Sequence, residues 1–202
     1  MKNIITIQHT QSVHHANGMI GSWTDWDLSD LGKQHANRIG ERLSVEIKDK
    51  QYIMYSSDLL RTKQTAEIVA GHLGIKPIFT DALRELNLGE AVGKSVEWAR
   101  ANSKGRAENI DDKPFKGSES QREVWERVSV FYNQIMAQND ENIIIVSHGG
   151  TLSIFNAMWL GLDVEMLDKC DLFGKAGGVS FMHQNADGKR IITRMGDLSY
   201  IR

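Results

Sequence analysis

Short apolar runs alternate with longer amphipathic ones along most of the chain. Residues 3–8 read as a buried strand, and Ser29 can cap a helix that begins DLGKQHANRIGERL. QYIMYSS, near residues 51–57, is a second strand. Asp58 can cap the helix after it, in which Leu59, Leu60, Ala66, Ile68, Val69 and Leu73 supply the apolar contacts and Gly74 closes the last turn. A third strand is expected at 75–79. An amphipathic helix follows from about Ser118 to Gln138, then a strand at 143–147 and a helix opening at Gly149-Gly150. Runs at 178–183 and 190–195 flank the turn Asn185-Ala186-Asp187-Gly188 and predict a hairpin. Alternating strands and helices of this kind predict a three-layer α/β/α fold around a mostly parallel sheet. The polar stretch 88–117, punctuated by Gly89, Gly93, Gly105, Pro114 and Gly117, interrupts the alternation and reads as a lid-like excursion from a single domain spanning 1–202.

Two of the strands end in histidine. IITIQHTQS delivers His9 and ENIIIVSHGG delivers His148, and parallel neighbours would bring both to one carboxyl edge, where open α/β sheets build their binding crevices. Composition narrows the chemistry further. With 24 Lys and Arg against 26 Asp and Glu, the net charge of -2 gives no general attraction to nucleic acid or anionic membrane, so an anion must be captured by a local cluster. No apolar run approaches the length of a membrane span, and the start MKNIITIQH reads as a strand rather than a signal peptide. Cys170 is the one cysteine in the sequence, and no cysteine-histidine ligand set accompanies it. A reducing compartment, the cytoplasm by default, and no structural zinc are therefore expected.

The segments Gln8-His9-Thr10-Gln11-Ser12, WTDWDLSDLG at 23–32, SSDLLRTKQTA at 56–66, LRELNLGEAVGK at 83–94 and SHGG at 147–150 occur in the order seen in one family. In them the chain resembles the histidine phosphatase superfamily, the phosphoglycerate mutase-like enzymes, over nearly its whole length. The resemblance implies a metal-independent, cofactor-free phosphomonoesterase acting on a small phosphorylated substrate, with neither nucleic acid nor membrane as partner. His9 would attack the phosphoryl group and become a phosphohistidine, and Arg61 and His148 would hold the phosphoryl oxygens. Gly149 would assist the anion at a helix start, and Glu85 would donate the leaving-group proton, with Glu90 and Asp81 as fallbacks. Lys63 is expected to be solvated, and Ser118-Glu119-Ser120 to serve as a helix cap. Of the excursion's Lys94, Arg100, Lys104, Arg106, Lys113 and Lys116, most read as a solvated face.

Three positions depart from the family pattern. Gln8 stands where the family has the arginine before its nucleophile, Thr10 replaces a glycine, and His15 falls where relatives place an asparagine beside the phosphate. Gln8 and Thr10 keep hydrogen-bonding capacity for phosphate without charge, and a protonated His15, or His14, would restore some of the missing positive charge. Asn17 is a weaker candidate. Leu88 occupies the position of a tyrosine common in mutases, which places phosphoglycerate mutase-type transfer second to hydrolysis. A phosphate-ligand-binding protein with little turnover is the reading from another class.

Overall fold

The computed structural model describes residues 1–103 and 108–202. One sheet carries the six strands of the described residues: β1 (Asn3–Gln8), β2 (Ile53–Ser57), β3 (Pro77–Thr80), β4 (Asn142–Ser147), β5 (Val179–Gln184) and β6 (Arg190–Asp197), in the order β3-β2-β4-β1-β5-β6. The first four in that order are parallel, and β5 and β6 add an antiparallel hairpin on β1. β1 pairs with β4 from Asn3 opposite Asn142 to Gln8 opposite Ser147. The next residue on each strand is therefore a histidine, and the His9 N–H extends the ladder to the Ser147 carbonyl at 2.9 Å.

Both faces of the sheet are covered, which is why β1 carries isoleucine on both faces and β4 runs apolar from Ile143 to Val146 rather than at alternate positions. On one face Ile4, Ile143 and Ile145 pack under α5 (Gln121–Ala137) and α6 (Gly149–Leu160). On the other, Ile5, Ile7, Ile144 and Val146 pack under α2 (Asp30–Glu46) and α3 (Leu60–Leu73). Ser29 caps α2 by accepting from the Gly32 N–H at 3.0 Å. Gly32 is required there, because a Cβ would lie 1.9 Å from the Gln11 carbonyl oxygen in the loop that leaves His9. Ser120 and Glu123 form a reciprocal capping box at the start of α5, so the segment Ser118–Ser120 does end in the expected cap.

Asp58 does not cap α3. Leu59 stands at that position without a side-chain bond, and the Asp58 carboxylate instead grips Arg84 through two hydrogen bonds of 2.7 and 2.6 Å. Arg84 also lies over the Trp23 ring, 4.7 Å from its centroid. The bidentate tertiary partner outcompetes a local cap.

Between β3 and α5 the described residues make 3-10 turns and one short helix, α4 (Val96–Asn102). Ala91, Ala99 and Phe115 form a small core of their own, with Trp98 stacked on Phe115. Backbone bonds tie this excursion to the loop after His9: Val96 N–H to the Gly18 carbonyl at 2.8 Å, and Ile20 N–H to the Lys94 carbonyl at 2.9 Å. Lys104 and Arg106 lie outside the described residues.

Candidate active site

His9 sits just past the end of β1 and is 4% exposed. Its Nδ1 lies 2.8 Å from the carbonyl oxygen of Thr10, an acceptor only, so Nδ1 carries the proton and donates. Nε2 keeps its lone pair, and Arg61 Nε points at it from 3.3 Å. Burial, and then the Arg61 charge, hold the His9 pKa well below its ordinary value. The ring is a neutral imidazole with its bare nitrogen facing a cation.

Arg61 comes from the first turn of α3 and is 1% exposed. Its two terminal nitrogens donate to the carbonyls of Thr24 at 2.9 Å and Ser22 at 2.8 Å. Burial lowers its pKa to about 10, against the opposing pull of Glu85 and Asp25, so it remains charged at neutral pH.

His148 is the N-cap residue of α6 and is fully buried. Its ring centroid is 5.1 Å from that of His9, edge to face. Nε2 meets the Ser57 hydroxyl at 2.9 Å, while Nδ1 is buried and has no hydrogen-bond partner among the described residues. Burial, Arg61 and His9, in that order, push its pKa well down.

Glu85 reaches the same edge from the loop after β3. Its carboxylate accepts from the N–H groups of Leu86 at 3.0 Å, Gly150 at 3.1 Å and Thr151 at 3.2 Å. Gly150 leaves room for this, since a Cβ there would lie 2.7 Å from Glu85 Oε1. The Glu85 carbonyl accepts from Trp23 Nε1 at 2.6 Å, and Arg127 binds the carbonyls of Ala82 and Arg84 at 2.9 and 3.0 Å, pinning the turn. His9, Arg61, His148 and Glu85 thus converge from four separate segments.

The sequence pattern of the histidine phosphatase superfamily (branch 1) matches residues 4–197. The chain belongs to that superfamily. A glucosyl-3-phosphoglycerate phosphatase of Mycolicibacterium vanbaalenii is 29% identical, with 93% of this chain and 88% of that protein covered. Phosphoglycerate mutase-like protein 4 of Arabidopsis thaliana is 34% identical, with 74% and 67% covered. Among solved structures, YhfR of Bacillus stearothermophilus superposes with a TM-score of 0.81 over 100% of both chains at 23% identity, which supports the same fold. The phosphoglycerate mutase-like α/β fold is therefore confirmed, and this superfamily member is a phosphatase, a hydrolase.

Several superfamily positions are occupied in ways the sequence did not disclose. His15 lies in α1 (His14–Asn17), its ring stacked on His9 with centroids 5.5 Å apart and planes 5° apart. His14 is 4.1 Å from His15 and 6.1 Å from His9. A protonated His15, or His14, was the expected source of positive charge, and in the free site burial and nearby charge favour the neutral form of each. Burial, His15 and Arg61 lower His14 to about 3, and burial followed by Arg61 lowers His15. Among the described residues, no group of three or more His, Cys, Asp or Glu is set to hold a metal ion.

Thr10 is fully buried, and its hydroxyl lies 3.4 Å from that of Thr65 in α3. The Gln8 amide lies between Gly149 and Gly174, on the α6 side of the sheet. Gly149 does open α6, but the N–H groups of Gly150 and Thr151 behind it are already bound to Glu85. Asn17 turns back to accept from the Met19 N–H, Glu90 meets the Lys116 N–H, and Asp81 opens a 3-10 turn. Lys113 pairs with Glu123, Lys94 lies over the Trp98 ring, and Lys63, exposed, over that of Phe79.

Sequence reasoning missed Ser57, Thr151 and Arg127. Ser57 alone had a readable signal, since it ends the strand beside β4 and so reaches the edge that carries His148.

Proposed function

We propose that the chain hydrolyses a small phosphate monoester through a phosphohistidine on His9, with no metal taking part. The observation that carries this is the neutral His9 whose bare Nε2 faces Arg61, with the unpartnered Nδ1 of His148 across a gap of 5.1 Å between ring centroids. Nε2 attacks phosphorus in line with the ester oxygen. The N–P bond forms, the P–O bond breaks, and Glu85 delivers a proton to the departing alkoxide. Glu85 Oε2 accepts only the Gly150 N–H among the described contacts, whereas Oε1 takes the Leu86 and Thr151 N–H groups and lies 3.5 Å from the Thr151 hydroxyl, so Oε2 is the freer atom to carry the proton. Water then attacks phosphorus, loses a proton to Glu85 and releases phosphate and neutral His9. Hydrolysis of a general aryl phosphate by the wild type, undiminished by chelator, is expected. Phosphate binding without turnover on a broad panel of esters would instead favour the binding-protein reading.

A neutral His148 donates to a phosphoryl oxygen only as its Nδ1–H tautomer. Ser57 sets that tautomer: its Oγ accepts from the Leu59 N–H at 3.3 Å, which leaves the hydroxyl proton for His148 Nε2. Ser57→Ala is expected to lower kcat about ten- to hundredfold with little change in KM, and Ser57→Thr to restore most of it. An unaltered kcat in Ser57→Ala would refute this role.

His14 and His15, neutral in the free site, gain protons when an anion arrives, because nearby negative charge raises an imidazole pKa. Sulfate, which does not titrate in this range, is expected to bind more tightly as pH falls from 8 to 5.5, by up to about tenfold per pH unit for each proton taken up. Calorimetry in two buffers of different ionisation enthalpy measures that uptake. A pH-independent affinity would show that the two histidines do not compensate for Gln8.

A cavity of about 450 Å³ borders Glu85 and is placed to receive the alcohol portion of the ester. Glu108, Asp168 and Asp171 face it with Lys169, a wall poorly suited to a second phosphoryl group, which favours hydrolysis over mutase-type transfer. The glucosyl-3-phosphoglycerate phosphatase relative makes phosphoglycerate esters a natural first panel. Cys170 is free, as suits the cytoplasm, and no described helix is long and apolar enough to cross a membrane.

A further inference from the structure

A second cavity, of about 420 Å³, lies under α6 on the face of the sheet opposite α3, the helix that supplies Arg61 and Thr65. Elsewhere this layer is built largely from aliphatic and aromatic side chains, among them Ile143, Ile145, Phe155 and Trp159. Here four buried polar residues replace them: Thr6 and Gln8 from β1, Ser180 from β5 and Asn156 from α6. The Asn156 Oδ1 has no hydrogen-bond partner among the described residues although the residue is only 4% exposed. Leaving a buried amide oxygen unpaired is costly, so an acceptor held in this way is complementary to a donor from outside the chain.

The remaining wall defines what carries that donor. Leu152, Leu172 and Phe173 are apolar, Phe173 being 60% exposed at the mouth, and Lys175 adds a cation beside it. The loop that holds Phe173 and Lys175 is fixed, since the Gly177 N–H is shared between the carbonyls of Gln8 at 3.1 Å and His9 at 3.2 Å. The cavity is thus largely preformed, as small-molecule sites are.

We propose that this cavity is a ligand site separate from the phosphoryl pocket, and that it takes a small α-amino or α-hydroxy carboxylate with an aliphatic side chain. The amine or hydroxyl donates to Asn156 Oδ1, the carboxylate meets Lys175, and the side chain packs against Leu152 and Phe173.

The probes are L-leucine and 2-hydroxy-4-methylpentanoate, titrated calorimetrically into the full chain with and without saturating inorganic phosphate. At least one is expected to bind with a Kd below about 1 mM, and phosphate to leave that affinity unchanged. Asn156→Leu, which fills the space with an apolar side chain, and Lys175→Glu, an exposed change that leaves the fold intact, are each expected to weaken binding tenfold or more. Neither should alter hydrolysis of an aryl phosphate. The proposal is overturned if neither probe binds, if phosphate displaces the bound probe, if both variants bind as the wild type does, or if crystals grown with the probe show only water at Asn156.

Discussion

His9→Ala is expected to reduce phosphomonoester hydrolysis by about 10⁴-fold or more, because the variant loses the covalent route and not merely one contact. The imidazole is held for nucleophilic attack by two independent constraints. Thr10's carbonyl fixes the proton on Nδ1, and burial beside Arg61 keeps Nε2 unprotonated. Neither His15 nor His148 can substitute. His15 stacks on His9, but its own Nδ1 accepts from the Ser12 N–H, and His148 commits Nε2 to Ser57. Sulfate binding by His9→Ala is the control for an intact pocket, since Arg61 and His148 remain. If the variant binds sulfate and still hydrolyses esters at more than a few per cent of the wild-type rate, His9 is not the nucleophile.

Arg61→Met has the second largest expected effect, a fall of about 10²–10³-fold or more in kcat/KM, in line with the removal of a preorganised transition-state donor. Gln8 makes this residue more important than it would be beside a second arginine. Its charge is buried and tied to the backbone carbonyls of Ser22 and Thr24, so the guanidinium is oriented before substrate arrives. The pH profile should move as well. Arg61 lowers the pKa of both His9 and His148, so its loss lets both rise toward the ordinary histidine value. Activity that needs neutral His9 then disappears at a higher pH on the acid side than in the wild type. Arg61→Lys keeps a charge but not the fork that reaches Ser22 and Thr24, and is expected to recover only part of the loss. Full activity in Arg61→Lys would mean that charge alone, without the fixed geometry, is what the site uses.

Much of this architecture is legible in the sequence because it rests on local patterns. The runs NIITIQ and NIIIVS carry isoleucine or valine on both faces of the strand, as strands covered on both sides do, and their register carries His9 and His148 to one edge. Arg61 and Glu85 were found through family motifs, and the structure brings both to that edge. What escaped depends on partners distant in the chain. Asp58 looks like a cap until Arg84, 26 residues on, claims its carboxylate. The glycines at the start of α6 look free to bind an anion until Glu85, 65 residues before Gly150, takes the N–H groups behind Gly149. The charge state of His14 and His15 could not be read because it follows from burial beside Arg61, not from sequence position. Gln8 is different: strand alternation already places it with Thr6 rather than with Ile5 and Ile7, so its position on the α6 side of the sheet was available from the twofold period.

The most direct test of the phosphohistidine route is a single-turnover reaction of the wild type with a ³²P-labelled ester in the presence of chelator, quenched in denaturant and mapped by peptide. The expected result is label on the peptide containing His9, stable in alkali and labile in acid, formed at least as fast as phosphate is released and absent from His9→Ala. Release of labelled phosphate by the wild type at its full rate with no protein-bound label at any time, or label on another residue, would contradict it.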